Sequence, residues 1–213
     1  MTVVLLVRHG ESTANLHNLF AGHFDAELTE RGHAQAECTA RYIVSTYRID
    51  AVYGSDLRRA FCTGEHLSSL LGLPIRPEQG LREIFAGEWE GVPYFGIQDT
   101  HPAEHHVWNT DIGNCTCPGG ESVADMEKRV YETVCRIAAE NDGGTVAVFT
   151  HATPIRAIQW RLSGQPLSEM HNTPWVSNAS VSELTYENGV LSAVRFGADE
   201  HLSALRTVLP DSL

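Results

Sequence analysis

Residues 3–7 read Val-Val-Leu-Leu-Val with no polar interruption. A strand with one wet face alternates, so this pattern predicts a parallel strand covered on both faces. Gly10 ends the run and leaves Arg8 and His9 at its carboxyl end. The spacing then changes. Ala36, Ala40, Ile43 and Tyr47 recur at intervals of four, three and four, which predicts a helix from an N-cap at Thr29 to about Tyr47. A short strand over 51–53 follows, then a helix from a Ser55 cap to about Leu71, with Leu57, Phe61 and Leu67 toward the sheet and Gly72 and Pro74 as the stop.

A third strand is expected over 73–76. From Glu83 to Gly120 there is little period and much punctuation, the mark of a lid or binding loop rather than an idle connection. Ser122 opens an amphipathic helix with Val123, Met126, Val130, Val134 and Ile137 on one stripe. A second continuously apolar strand, 145–149, places Thr150 and His151 at its end, repeating the placement of Arg8 and His9. The tail predicts a hairpin: 181–186, a Glu187-Asn188-Gly189 turn, and 190–196. Strands alternating with helices and closed by a hairpin predict a three-layer α/β/α sandwich, its central sheet mostly parallel with an antiparallel edge strand. One domain over 1–213 is expected, with 84–121 as its lid or substrate loop. In an open sheet of this kind ligands bind beyond the carboxyl ends of the strands, so cationic residues there point to an anion.

Charge narrows the partners. The net charge of −12 and the single lysine, Lys128, leave no basic surface for nucleic acid. The remaining cations are arginines, whose planar fork matches phosphate. Five scattered cysteines make a poor disulfide framework and fit a reducing compartment, so a cytoplasmic location is expected. The first residues carry neither a basic leader nor an apolar run long enough for a signal peptide or membrane span, so no membrane association is expected.

Four segments are candidates to converge on one rim: Leu6-Val7-Arg8-His9-Gly10-Glu11-Ser12, Ser55-Asp56-Leu57-Arg58-Arg59-Ala60, Leu81-Arg82-Glu83 and Thr150-His151. Together with Ala21-Gly22, Leu28-Thr29-Glu30-Arg31-Gly32, Gly87-Glu88-Trp89-Glu90-Gly91 and Pro118-Gly119-Gly120-Glu121-Ser122, they resemble the histidine phosphatase superfamily, phosphoglycerate mutase-like, branch 1. The resemblance spans most of the chain. It implies that His9 is the nucleophile that becomes phosphohistidine, and that Arg8, Arg59 and His151 form the phosphate pocket. Asn15 would add a side-chain hydrogen bond, Glu83 would be the general acid and base, and Ala21 and Gly22 would be substrate-loop positions. Arg59 is preferred to Arg58 because it precedes Ala60, as the family's arginine does. Ala152 stands where many members have glycine.

These roles agree with elementary chemistry. An imidazole attacks phosphorus only through an unprotonated nitrogen, so the other ring nitrogen should donate to a backbone acceptor. Two arginines and a protonated His151 would neutralise the equatorial oxygens without a metal, and an alkoxide leaving group needs a carboxylic acid to protonate it. No cysteine is followed six residues later by arginine, and no Walker-type loop is present, so thiolate and P-loop chemistry are set aside. Ser122 is read as a helix cap rather than a nucleophile.

The expected enzyme is therefore a metal-independent phosphatase acting on a small-molecule phosphoester, with no cofactor and with a homodimer compatible. Cofactor-dependent phosphoglycerate mutase is the alternative, and a noncatalytic phospholigand-binding module ranks below both. The mutase is disfavoured because 84–127 holds no arginine or lysine to grip further anionic groups, and the binding module because His9, Glu83 and His151 are all retained. His101, His105 and His106, near Cys115 and Cys117, lack the paired spacing of a metal site and are read as solvated or as touching substrate. Trp89, Tyr94, Phe95 and Trp108 are read as packing the lid onto the domain, and His23 is given no role.

Overall fold

In the computed structural model, which describes residues 1–207, six strands form one sheet in the order β3-β2-β4-β1-β5-β6. In chain order the elements are β1 (Thr2–Arg8), α1 (Thr13–Leu16), α2 (Glu30–Thr46), β2 (Ala51–Gly54), α3 (Arg58–Leu71) and β3 (Ile75–Pro77). Then follow α4 (Ile97–Thr100), α5 (Pro102–Thr110), α6 (Val123–Glu140), β4 (Thr145–Thr150), α7 (Ala152–Ser163), β5 (Val181–Glu187) and β6 (Val190–Ala198). β1, β2, β3 and β4 run parallel; β5 pairs antiparallel with β1, and β6 with β5. This is the expected α/β/α sandwich.

The unbroken apolar run of β1 is explained by two separate cores. Val4 and Leu6 pack with Val130, Val134 and Ile137 of α6 and Ile155 and Ile158 of α7. Leu5 and Val7 point the other way, onto Ala40 and Ile43 of α2 and Leu67 of α3. Period-2 geometry sends alternate residues to opposite faces, and every one of these four side chains is fully buried. Full burial is worth about 1.5–3 kcal/mol per residue of this size, so a polar substitution at any of the four would be costly.

The caps follow the sequence in two of three cases. Thr29 Oγ1 accepts from Gly32 N at 3.0 Å and Ser122 Oγ from Asp125 N at 3.0 Å. Ser55 is different: α3 begins at Arg58 with Leu57 as its N-cap residue, and Ser55 lies in the strand-to-helix turn, its Oγ accepting from Leu57 N at 3.3 Å rather than from the first turn of the helix. The stretch expected to lack period holds α4 and α5, with Pro102 at the first turn of α5, where a missing N–H costs nothing. The helix after His151, α7, had no prior signal assigned to it.

The turn that carries β1 into α1 is built by backbone contact. A Cβ at Gly10 would lie 2.4 Å from the Gly32 carbonyl oxygen, and one at Gly32 would lie 2.0 Å from the Glu11 carbonyl oxygen. Neither contact can be relieved by turning a side chain. Gly32→Ala is expected to cost roughly 1–3 kcal/mol, the range for forced overpacking, read as a lower denaturation midpoint. An unchanged midpoint would mean the two loops separate freely.

Candidate active site

The carboxyl ends of β1 and β4 lie side by side, and the ladder continues one step past them, with His9 N donating to Thr150 O at 3.0 Å. His9 and His151 therefore meet, their ring centroids 5.2 Å apart at 60°. Arg8 leaves the end of β1 and Arg59 enters from the first turn of α3, while Glu83 arrives from the segment after Leu81, whose carbonyl is tied to Thr150 Oγ1 at 2.7 Å. All five of these side chains are buried. A cavity of about 160 Å³ opens over four of them, lined by Arg8, His9, Asn15, Arg59 and Glu83 together with Ala21 and Gly22, whereas His151, whose ring lies against His9, is not among the lining residues. Arg58, by contrast, is exposed and pairs with Glu27 at 2.7 Å.

Each polar group is held from behind. His9 Nδ1 lies 2.7 Å from the Gly10 carbonyl, which can only accept, so Nδ1 carries the proton and Nε2 keeps its lone pair. Arg59 donates from Nη1 to Phe24 O at 3.0 Å and from Nη2 to Gly22 O at 2.8 Å, and Arg8 donates from Nη1 to Val176 O. Asn15 Oδ1 accepts from Ser12 N, Ser12 Oγ and Asn178 Nδ2, which leaves its Nδ2 for a ligand. Glu83 Oε1 accepts from Ile84 N at 3.0 Å and Oε2 from Thr153 N at 3.4 Å, at the N-terminus of α7. Arg8 Nε, Arg59 Nε and His151 Nδ1 are buried without a partner. Unpaired buried donors are costly, and an anion would satisfy them.

The electrostatics correct one expectation. Burial, with Arg59 next and then neighbouring positive groups, pushes both His9 and His151 well below the ordinary imidazole value. His151 is therefore neutral in the free protein rather than protonated. A dry floor already holding two cations disfavours a third, and neutrality is what His9 needs in order to attack. Burial also lowers Arg8 and Arg59 to about 10, which leaves both charged at neutral pH.

Several contributors had no sequence signal assigned to them. The Ser55 hydroxyl lies 2.8 Å from His151 Nε2 and is fully buried. Thr63 Oγ1 accepts from Gly10 N at 3.0 Å, and Asn178 Nδ2 donates to His9 O at 3.1 Å. His23 donates its backbone N–H to Glu90 and sets its ring nitrogen 2.9 Å from Glu83 O. A serine directly after an apolar strand, as at Tyr53-Gly54-Ser55, was the available clue.

The aromatics divide. Trp89 packs in the core and Phe95 is 71% exposed, but Tyr94 and Trp108 line the cavity, with Phe20 and Trp175. His101 pairs with Glu88 at 3.2 Å, and the His105 ring lies 5.4 Å from that of Tyr94, tilted at 59°; neither they nor His106 line the cavity. No group of three or more metal-ligating side chains forms among the described residues, and burial pushes the Cys115 thiol up to about 12. Ala152 takes up the first helical position of α7 without a positive φ, so the alanine is unstrained there.

This arrangement belongs to a known class. The profile of the histidine phosphatase superfamily (branch 1) matches residues 4–199, and the chain belongs to that superfamily. It is 30% identical over 187 residues to phosphoserine phosphatase 1 of Hydrogenobacter thermophilus, covering 88% of each chain. It is 33% identical over 174 residues to a 2,3-bisphosphoglycerate-dependent phosphoglycerate mutase of Mesorhizobium japonicum, covering 78% of this chain and 84% of that one. The solved structure of Bacillus stearothermophilus YhfR superposes with a TM-score of 0.90 at 26% identity, over 95% of this chain and all of that one.

The depressed imidazoles have a consequence for stability. An unfolded chain protonates each ring near pH 6.5, whereas the folded protein does so only at lower pH. Between those values the unfolded state holds more protons, so stability is complete above 6.5 and is lost as pH falls, by up to about 1.4 kcal/mol per pH unit per ring. The denaturation midpoint is expected to drop from pH 7 to 5, and imidazole ¹⁵N shifts should show both rings neutral at pH 6. A charged ring at pH 6 in the ligand-free protein would contradict the burial argument.

Proposed function

We propose that the chain is a metal-independent phosphatase that hydrolyses a small-molecule phosphomonoester through a phosphohistidine on His9. The observation that carries this reading is the Nδ1–H of His9 held on the Gly10 carbonyl at 2.7 Å, which leaves Nε2 as a neutral nucleophile beside two buried guanidiniums. In the first step Nε2 donates its electron pair to phosphorus and the bond from phosphorus to the ester oxygen breaks. Glu83, as the carboxylic acid, protonates that oxygen, and the alcohol departs. In the second step water attacks phosphorus, the Glu83 carboxylate takes its proton, and the phosphorus–nitrogen pair returns to His9. Charge on the equatorial oxygens is met by Arg8, Arg59, the Asn15 amide and the N-terminus of α7.

His151 joins this set through its tautomer. With the Ser55 hydroxyl donating to Nε2, the ring proton sits on Nδ1 and a donor is available for the phosphoryl group. The opposite tautomer would present a lone pair to an anion. Ser55 is thus a positioning residue. Residues 84–121 act in this reading as the lid of one domain, and the five free cysteines support a reducing, cytoplasmic setting. The mutase alternative is weaker: Arg8 and Arg59 are the only arginines lining the cavity among the described residues, no lysine joins them, and both sit at the phosphoryl end.

His9→Ala is expected to abolish both turnover and an acid-labile phosphoenzyme, and Glu83→Gln to lower kcat with the fold retained. Arg59→Ala should cost about 2.7–4 kcal/mol of transition-state stabilisation, a 10²–10³-fold loss in kcat. A chelator should change nothing, and full activity in His9→Ala, or robust mutase turnover with a bisphosphoglycerate primer, would overturn the reading. Ser55→Ala should lower kcat about tenfold, the size of one hydrogen bond, with KM little changed, and should move the ¹⁵N shifts of His151 to a mixed tautomer. Unmoved shifts would remove Ser55 from the mechanism.

A further inference from the structure

The wall of the cavity beyond the phosphoryl floor differs in kind from the floor itself. It is made by Leu19, Phe20, Tyr94, Trp108 and Trp175, and its polar groups are all neutral: Thr153, Asn15, the Tyr94 hydroxyl and the two indole N–H groups, of which that of Trp175 is buried without a partner. Three of the rings are locked together. Phe20 meets Trp108 edge-on at 4.9 Å and lies parallel to Tyr94 at 6.5 Å, while Trp108 rests at 87° on the fully buried Trp89. The Tyr94 hydroxyl donates its proton to Asn109 Oδ1 at 2.6 Å.

The fourth ring is held separately. The Arg156 guanidinium lies 4.1 Å over Trp175, while its Nε and Nη2 donate to Thr173 O at 2.7 Å and His171 O at 2.8 Å. Arg156, the guanidinium behind Trp175, is buried, committed to those carbonyls and absent from the cavity lining. Residues 84–127 contain no arginine or lysine.

From this wall we infer that the substrate's alcohol portion is uncharged and apolar, an aromatic or aliphatic alcohol rather than an amino acid, a phosphoglycerate or a sugar. The inference rests on the phosphatase reading and specifies its substrate class. A carboxylate placed here would lose water and gain no cation, and an ammonium would find no carboxylate except Glu83, which the chemistry uses. Sugar hydroxyls would leave most of their hydrogen bonds unmade against four rings, and buried polar groups without partners are penalised. An apolar group instead gains by leaving water, and rigid rings give it a preformed surface with little ordering cost.

The test compares kcat/KM of the full-length enzyme for benzyl and hexyl phosphate against phosphoserine, 3-phosphoglycerate and glucose 6-phosphate. All five are esters of alkyl alcohols, so the comparison reads the wall more than the leaving group. The apolar esters are expected to be favoured at least tenfold. Leu19→Arg, at a half-buried wall position, should shift the ratio toward 3-phosphoglycerate by about tenfold, the scale of a single charge-assisted contact. Equal or better turnover of the charged or sugar esters by the wild type would overturn the substrate class and leave the phosphatase reading standing. Failure to hydrolyse any ester, p-nitrophenyl phosphate included, would overturn the phosphatase reading and the inference with it.

Discussion

Two guanidiniums and two imidazoles share a floor from which water has been removed, and the rest of the site follows from how that charge is kept bearable. Burial lowers Arg8 and Arg59, but Glu83 opposes that shift at both, and backbone carbonyls of Val176, Phe24 and Gly22 take up their hydrogen bonds. The imidazoles give their second proton up because burial disfavours the charged ring and Arg59 repels it. The same burial and repulsion that cost stability as the pH falls keep His9 Nε2 unprotonated. Function and instability arise here from one electrostatic arrangement.

Holding such a floor requires elements distant in sequence to agree. The segment before β5 does much of this work: Val176 O receives Arg8, Asn178 and Ala179 both donate to His9 O, and Ser180 O receives Arg8 N. Ala179 accepts a φ of +57° to do so, a conformation that disfavours a side chain and persists when surrounding contacts over-determine it. The Asn178 amide also donates to Asn15 Oδ1, so one buried residue fixes both the backbone of His9 and the side chain of Asn15. Above the floor, the cavity changes from cationic to aromatic, separating the part of the site suited to phosphoryl chemistry from the part suited to choosing an alcohol.

Read from the sequence alone, the two continuous apolar strands, the capped helices at Thr29 and Ser122, the Asn-Gly hairpin and the meeting of Arg8-His9 with Thr150-His151 were all legible. Their signals are local: hydrophobic period, cap chemistry and turn residues act within a few positions of one another. The family resemblance named Arg59 over Arg58, and the burial of one and exposure of the other agree with that choice. What sequence could not supply was decided by distance in space. Ser55 looks like a helix cap until the fold brings β4 beside β2 and puts its hydroxyl against His151; Tyr94 and Trp108 look like packing until the fold sets them in the wall of the cavity at the strand ends; and the charge on His151 depends on a dielectric that exists only once the chain has closed around it. Periodicity along the chain determined the elements and their faces, whereas desolvation and proximity, which belong to the assembled structure, determined protonation, tautomer and the character of the cavity wall.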